Sequence, residues 1–203
     1  MMEHLKMSAI LLAGGQSSRM GSDKALLPLA GRTMLERILE KISPLFAQVL
    51  VIVDNAEKVR GLHLQGAAVH EDAIQRAGAL AGLYTGLCHS VYTRSMAFSC
   101  DMPFVSETLI LQLIEDAQDQ HYDAHYFVTP DEQEQPFPGI YTREVRLLIR
   151  ILLDQQERDM PRFFKVADGH PIAFEDQTSS AFRKLNCLED YWEAVKMMET
   201  CRP

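Results

Sequence analysis

No apolar run in this chain approaches the roughly 18 residues that a membrane-crossing helix needs, which argues against a transmembrane segment. Basic clusters are missing too. Twenty Lys and Arg face 28 Asp and Glu, a net charge of −8, and such a balance does not build the positive stripe of a nucleic-acid binder. Cysteine is sparse: Cys88, Cys100, Cys187 and Cys201 never approach C-x-x-C spacing, so a disulfide framework and a zinc ribbon are both disfavoured. Free thiols in a reducing cytoplasm are expected. The histidines are scattered. His121 and His125 are four apart but sit in HYDAHYFVT, which reads as the entry to a strand, where residues four apart share a face and lie distant. The opening MMEHLKMSAILLAGG has no basic n-region, and an uncleaved N-terminus is expected. Repeats and low-complexity segments are absent.

What the chain does have is an ordinary globular composition, 47% hydrophobic and 24% charged. Its 203 residues suit one domain, or one domain with a small appendage. The most informative stretch is ILLAGGQSSRMGSDK, Ile10 to Lys24. Small and branched apolar residues from Ala9 to Leu12 read as a buried strand that breaks at Gly14-Gly15 into a polar loop. Consecutive glycines permit positive φ and leave no side chain between main chain and ligand, and the exposed amides of such a turn can wrap an anion. Arg19 adds a planar fork suited to phosphate and Lys24 a movable point charge. This set, at the C-terminal end of a strand, suits a nucleoside triphosphate. Five residues lie between Gly15 and Gly21, which leads into Ser22-Asp23-Lys24, so the Walker pattern, with four, fails, as does Gly-x-Gly-x-x-Gly.

The rest of the chain alternates. Met34, Leu35, Ile38, Leu39 and Ile42 share a helical face, with Thr33 to Glu36 forming a capping box and Pro44 stopping the helix. Gln48 to Asp54 reads as a buried parallel strand, and Ala67 to His70 as a short third strand. Leu80, Leu83, Tyr84, Leu87 and Val91 stripe a second helix. Ser95 to Asp101 is another strand, and Leu109, Ile110, Leu113, Ile114 and Ala117 mark a third helix. Strand–helix alternation with short links predicts right-handed crossovers and a doubly wound, mostly parallel α/β sheet. Beyond Asp119 the pattern changes. Tyr126–Thr129 and Phe137–Thr142 read as two strands flanking the polar link Pro130–Gln135, a mixed-sheet C-terminal part. Helices are expected around Val145 to Leu152 and Phe163-Phe164, a short strand at Pro171–Phe174, a last strand at Ala181–Leu185, and a final helix striped by Tyr191, Trp192, Val195 and Met198. Met197-Met198 suits core filling better than a copper site.

Two further sites follow strands. In Ser99-Cys100-Asp101-Met102-Pro103-Phe104, Asp101 should project from the same sheet edge as the first loop, and Pro103 fixes the turn into the next helix. A single carboxylate there could hold Mg²⁺ together with substrate phosphates, or could simply start the turn. Glu71-Asp72 precedes Gly78-Ala79-Leu80-Ala81-Gly82. Asp72 could accept the two adjacent donors of guanine, hold a ribose, or be a solvated turn carboxylate. Asp54-Asn55 carries a similar double reading.

The match to L-A-G-G-x-S-x-R-M-G-x-D-K, through Leu12 to Gly15, Ser17, Arg19 to Gly21 and Asp23-Lys24, resembles the opening of the GT-A-like nucleotidyltransferases. Together with Glu71-Asp72, Gly78 to Gly82, Cys100 to Phe104, Gln135-Pro136 with Gly139-Ile140-Tyr141, and Asn186 to Tyr191, the chain resembles the molybdenum cofactor guanylyltransferase family over nearly its whole length. The resemblance implies a Rossmann-like, GT-A-type fold and a single nucleotidyltransferase domain over 1–203. Residues 1–120 would form its nucleotide-binding half and 121–203 its acceptor, or pterin, half. It implies GTP and molybdopterin as substrates, Mg²⁺ as cofactor, a cytoplasmic setting and transient contacts with proteins that deliver molybdopterin or mature molybdoenzymes. GTP contacts would fall to Leu12, Ala13, Gly14, Gly15, Lys24, Asp54, Asp72 and Asp101, and the metal to Asp101. Catalysis would rest on Arg19, Lys24 and Asp101, and Lys184 and Asn186 would face the pterin.

Two departures are visible. Ala79 stands where the family usually has Pro, and Lys184 replaces the first residue of an Asn-x-Asn pair. Gly14 favours guanine, since cytidylyl relatives tend to read Leu-Ala-Ala-Gly. The rival readings are a cytidylyl- or sugar-phosphate nucleotidyltransferase, and a GTP-binding carrier without turnover. The presence of both Lys24 and Asp101 argues against the carrier.

Overall fold

A computed structural model describes residues 4–14, 23–75, 77–118, 121–174 and 182–200. Its centre is a seven-stranded sheet built from β1 (Leu5–Leu12), β4 (Phe46–Val53), β5 (Ala68–Glu71), β6 (Arg94–Ser99), β7 (Ala124–Val128), β8 (Glu134–Thr142) and β9 (Gly169–Ala173). Across the sheet the order is β5-β4-β1-β6-β8-β7-β9, and a separate ribbon pairs β2 (Pro28–Leu29) with β3 (Arg32–Thr33). β1 pairs in parallel with both β4 and β6. The chain runs outward from β1 to β4 and β5, then returns to β6 on the other side of β1. That reversal creates the crevice where open α/β sheets bind ligands.

Alternation along the central strands explains the two layers. Ala9 and Leu11 of β1 face one core with Val51, Val53, Met96 and Phe98; Ile10 and Leu12 face the other with Leu50, Ile52 and Ala97. Each face needs a helical cover. On the first lie α1 (Met34–Ile42) and α3 (Glu107–Ala117), through Leu35, Ile38, Leu109 and Leu113. On the second lie α2 (Gly78–His89), α4 (Arg146–Asp154) and α5 (Met160–Phe164), through Leu83, Leu87, Ile149 and Phe163. The capping box at Thr33 and Glu36 is formed in both directions. A third, smaller cluster packs Leu29, Met34, Leu185 and Ala194 beneath α6 (Leu188–Thr200).

β8 runs antiparallel between β6 and β7 in the main sheet, so the C-terminal part is mixed, as expected, and continues that sheet. Several other expectations are corrected. Glu134 and Gln135, expected in the link, belong to β8. Helix α2 ends at His89, leaving Val91 outside it and 67% exposed. Trp192, expected on the apolar stripe of the last helix, is 58% exposed. No strand forms over Phe182 to Leu185, and Ala181 lies outside the described residues. Leu185 is buried there, and its N–H donates to the Asp101 carbonyl at 2.9 Å. One bond to a loop replaces a ladder.

Candidate active site

Four parallel strands end along one edge, and each hands over a polar or glycine residue within two positions of its end. β1 leads to Ala13-Gly14, β4 to Asp54-Asn55, β5 to Asp72, and β6 to Cys100-Asp101. Backbone bonds continue past the regular ladders: Ala13 N–H to the Ile52 carbonyl at 2.8 Å, Asp72 N–H to Val53 at 2.8 Å, and Cys100 N–H to Leu12 at 3.0 Å. These residues therefore inherit the rigidity of the sheet. They line a cleft of about 500 Å³, joined by Asp23, Lys24, Lys58, Gln75, Gly78, Ala79 and Ser99.

Two backbone features shape the cleft floor. A Cβ on Gly14 would lie 3.1 Å from the Asp54 nitrogen, a tight contact that would press on the end of β4. Gly78 has φ +78°, a conformation that L side chains rarely adopt. It opens α2, which no side chain caps, so the first amides of the helix begin at the cleft wall.

The charges are paired in a chain. Lys58 Nζ bonds Asp54 Oδ2 at 2.6 Å and Asp23 Oδ2 at 3.0 Å. The Asp54 hydrogen bond is the main cause that pushes the Lys58 ammonium above its ordinary range. Asp54 Oδ1 is buried without a hydrogen-bond partner among the described residues. Asp72 is held above the usual carboxylate range by burial, while bonds from the Thr85 hydroxyl and the Ile74 amide pull it back. Burial pushes the Cys100 thiol far up, so it stays protonated and is no nucleophile.

Asp101 Oδ1 accepts from Ser99 Oγ at 2.6 Å, and Oδ2 lies 3.8 Å from Lys24 Nζ. Among the described residues no three His, Cys, Asp or Glu side chains converge as a metal cage. A single carboxylate beside a phosphate-sized cleft nevertheless fits a hard cation that takes most of its oxygens from a bound phosphate chain.

All the described residues expected to contact nucleotide, Leu12, Ala13, Gly14, Lys24, Asp54, Asp72 and Asp101, line this cleft. Gly15 and Arg19 lie outside the described residues. Lys184 and Asn186 do not line it. Asn186, expected on the pterin side, accepts a hydrogen bond from Lys24 Nζ, expected on the phosphate side, at 3.1 Å. Sequence reasoning missed Lys58 and Gln75. Lys58 stands four positions after Asp54, an ion-pair spacing that could have exposed it. Gln75 Nε2 bridges the Asp54 and Asp72 carbonyls at 3.2 Å each, a contact with no local signal.

The chain is similar to several known proteins. A family model described as the MobA-like NTP transferase domain matches residues 9–177. A protein of Pelotomaculum thermopropionicum, named probable molybdenum cofactor guanylyltransferase, is 34% identical over 205 aligned positions, covering 98% of this chain and 96% of its own. The crystal structure of molybdopterin-guanine dinucleotide biosynthesis protein A from Archaeoglobus fulgidus superposes with a TM-score of 0.84 at 22% identity, over 96% of this chain and 100% of that one. A manganese complex of a Mycobacterium tuberculosis protein, 18% identical, superposes with a TM-score of 0.71 over 95% of this chain and 99% of that one.

Proposed function

Because the chain belongs to the family of MobA-like NTP transferase domains, we propose that it transfers GMP from GTP to the terminal phosphate of molybdopterin or its molybdenum-loaded form. The product is the guanine dinucleotide cofactor, and pyrophosphate leaves. The observation that carries this reading is the convergence of Gly14, Lys24, Asp72 and Asp101 on one cleft at the sheet's ligand edge.

In this mechanism an already ionised phosphate oxygen attacks the α-phosphorus and the α–β bridging bond breaks, so no strong general base is needed. Positioning and charge stabilisation carry such a transfer. Backbone from Leu12 to Gly14, with Asp72, holds base and ribose, and Asp54 lies beside them. Lys24 and Arg19 neutralise charge on the departing pyrophosphate. A divalent cation, for which we take Mg²⁺, would be held by Asp101 and would supply further charge neutralisation on the phosphates. Asp101 is taken as the ligand because it stands beside the phosphate-facing Lys24, 3.8 Å away.

We take residues 1–203 as one nucleotidyltransferase domain, with the acceptor side formed from 121–203. Lys184 and Asn186 belong to it, Asn186 touching Lys24 as well. Cytoplasm is the setting that matches free thiols, and brief contacts with molybdopterin-delivering and molybdoenzyme-maturing proteins follow from a product that must be handed on. The test is pyrophosphate release with GTP, ATP, CTP and UTP, each with and without molybdopterin. Pterin-dependent release with GTP alone is expected; release with CTP, or with a sugar phosphate in place of pterin, overturns the assignment.

A further inference from the structure

We propose that Thr85, a buried residue of α2, is a positioning residue for base recognition, holding Asp72 so that one carboxylate oxygen is kept for the nucleotide. The proposal rests on the reading of Asp72 as the acceptor for guanine.

Thr85 is 1% exposed and sits among the leucines that bind α2 to the sheet. A hydroxyl in such a place costs free energy unless it is hydrogen-bonded. Its contacts are specific. The Ala73 amide donates to Thr85 Oγ1 at 3.0 Å. The Oγ1 proton has two acceptors in reach, Asp72 Oδ1 at 2.9 Å and the Ala81 carbonyl at 3.0 Å. The second is the i−4 carbonyl that helical threonines commonly use. The first is a carboxylate, and charge-assisted bonds are about twice as strong as neutral ones. With one lone pair committed to Ala73, the hydroxyl serves as a relay that ties the loop after β5 to α2.

The Ile74 amide also reaches Asp72 Oδ1, at 3.3 Å. Both described side-chain and backbone donors to this carboxylate thus meet on Oδ1, and none of the described residues donates to Oδ2. Oδ2 lies on the Gly82 side, 3.9 Å from where a Cβ on that glycine would stand. A carboxylate anchored by one oxygen has a fixed plane. Its other oxygen is then ready for one of the guanine's two donors without the cost of first ordering the side chain.

The test uses the full chain with Thr85→Val, Thr85→Ser and Asp72→Asn, and two probes: GTP, and inorganic tripolyphosphate, which has no base. Thr85→Val is expected to weaken GTP binding by about tenfold, in line with loss of a hydrogen bond to a charged group, while tripolyphosphate binds as in wild type. In turnover, KM for GTP should rise with little change in kcat, the signature of lost uniform binding. Thr85→Ser should return GTP affinity to within about twofold. Should the valine variant fail to fold, Thr85→Ala carries the same expectations. If Thr85→Val loses GTP and tripolyphosphate equally, or if serine does not rescue, the residue supports the fold only and the proposal is wrong. If Asp72→Asn weakens GTP while Thr85→Val binds it normally, Asp72 keeps its assignment and the proposal falls alone. If Asp72→Asn binds GTP as wild type does, the reading of Asp72 falls and takes the proposal with it.

Discussion

The Lys24 ammonium donates a hydrogen bond to the Asn186 side-chain carbonyl at 3.1 Å, joining residues 162 positions apart. Asp101 lies 3.8 Å from the same ammonium, and Leu185 donates its N–H to the Asp101 carbonyl. The segment before α6 is therefore stitched to two residues of the phosphate end of the cleft.

A consequence is that Asn186→Ala should weaken GTP binding even without pterin, by about threefold for a partly solvated bond to a charged group. Lys24→Ala, which removes the charge itself, should weaken it by about tenfold or more. Calorimetric titration of GTP in the absence of pterin compares the two. Wild-type affinity in the Asn186 variant would return that residue to the acceptor alone.

Asp101→Asn keeps size and removes charge. Turnover should fall roughly a hundred- to thousand-fold, the usual loss when one preorganised electrostatic contact is removed, while the protein stays folded and binds GTP weakly. Pyrophosphate release under saturating nucleotide measures it. A rate within about threefold of wild type would assign the cation to another carboxylate.

Helix α2 lies so close to β1 that a Cβ on Gly86 would stand 2.4 Å from Ile10 Cγ2 and 2.9 Å from its Cδ1. The β-branched Ile10 cannot turn away cheaply. Gly86→Ala should therefore destabilise the fold by about 1–3 kcal/mol, the usual cost of overpacking, despite the better helix propensity of alanine. Urea denaturation reads the change, and Gly86→Ala combined with Ile10→Val should recover part of it. A more stable single variant would show that the two elements can separate without cost.

His125 is 1% exposed, with Nδ1 3.1 Å from Asp116 Oδ2 and Nε2 buried without a partner among the described residues. Burial is the main cause that holds it below its ordinary value of 6.5, Asp116 opposes, and His170 and Arg94 lower it further. A depressed histidine is neutral in the fold and charged in the unfolded chain at mildly acidic pH. Its contribution is complete above the unfolded value and is lost as pH falls through the lower folded one. Denaturation midpoints should decline below about pH 6.5, and His125→Gln should flatten that decline. An unchanged slope in the variant would place the titration elsewhere.

Much of the ligand edge could be read locally. Each of Gly14, Asp54 and Asp101 follows an apolar run whose length and composition mark a buried strand, Asp72 follows the short edge strand β5, and parallel strands ending together bring such residues to one place. The Thr33 capping box was equally legible, because both its bonds span three positions.

Local order alone determined the α/β alternation, the covered faces of α1 and α3 and the place of Gly14 at the start of the cleft, since periodicity records which side chains avoid water. Tertiary structure decided the rest. Only packing put β8 antiparallel between β6 and β7, gave Leu185 a single loop contact in place of a strand, and set Thr85 against Asp72. The reach of Asn186 to Lys24 depends on how α6 settles over Leu29 and Met34. A contact between residues far apart in the chain leaves no periodic trace in it, because its energy arises only once both ends have been brought together.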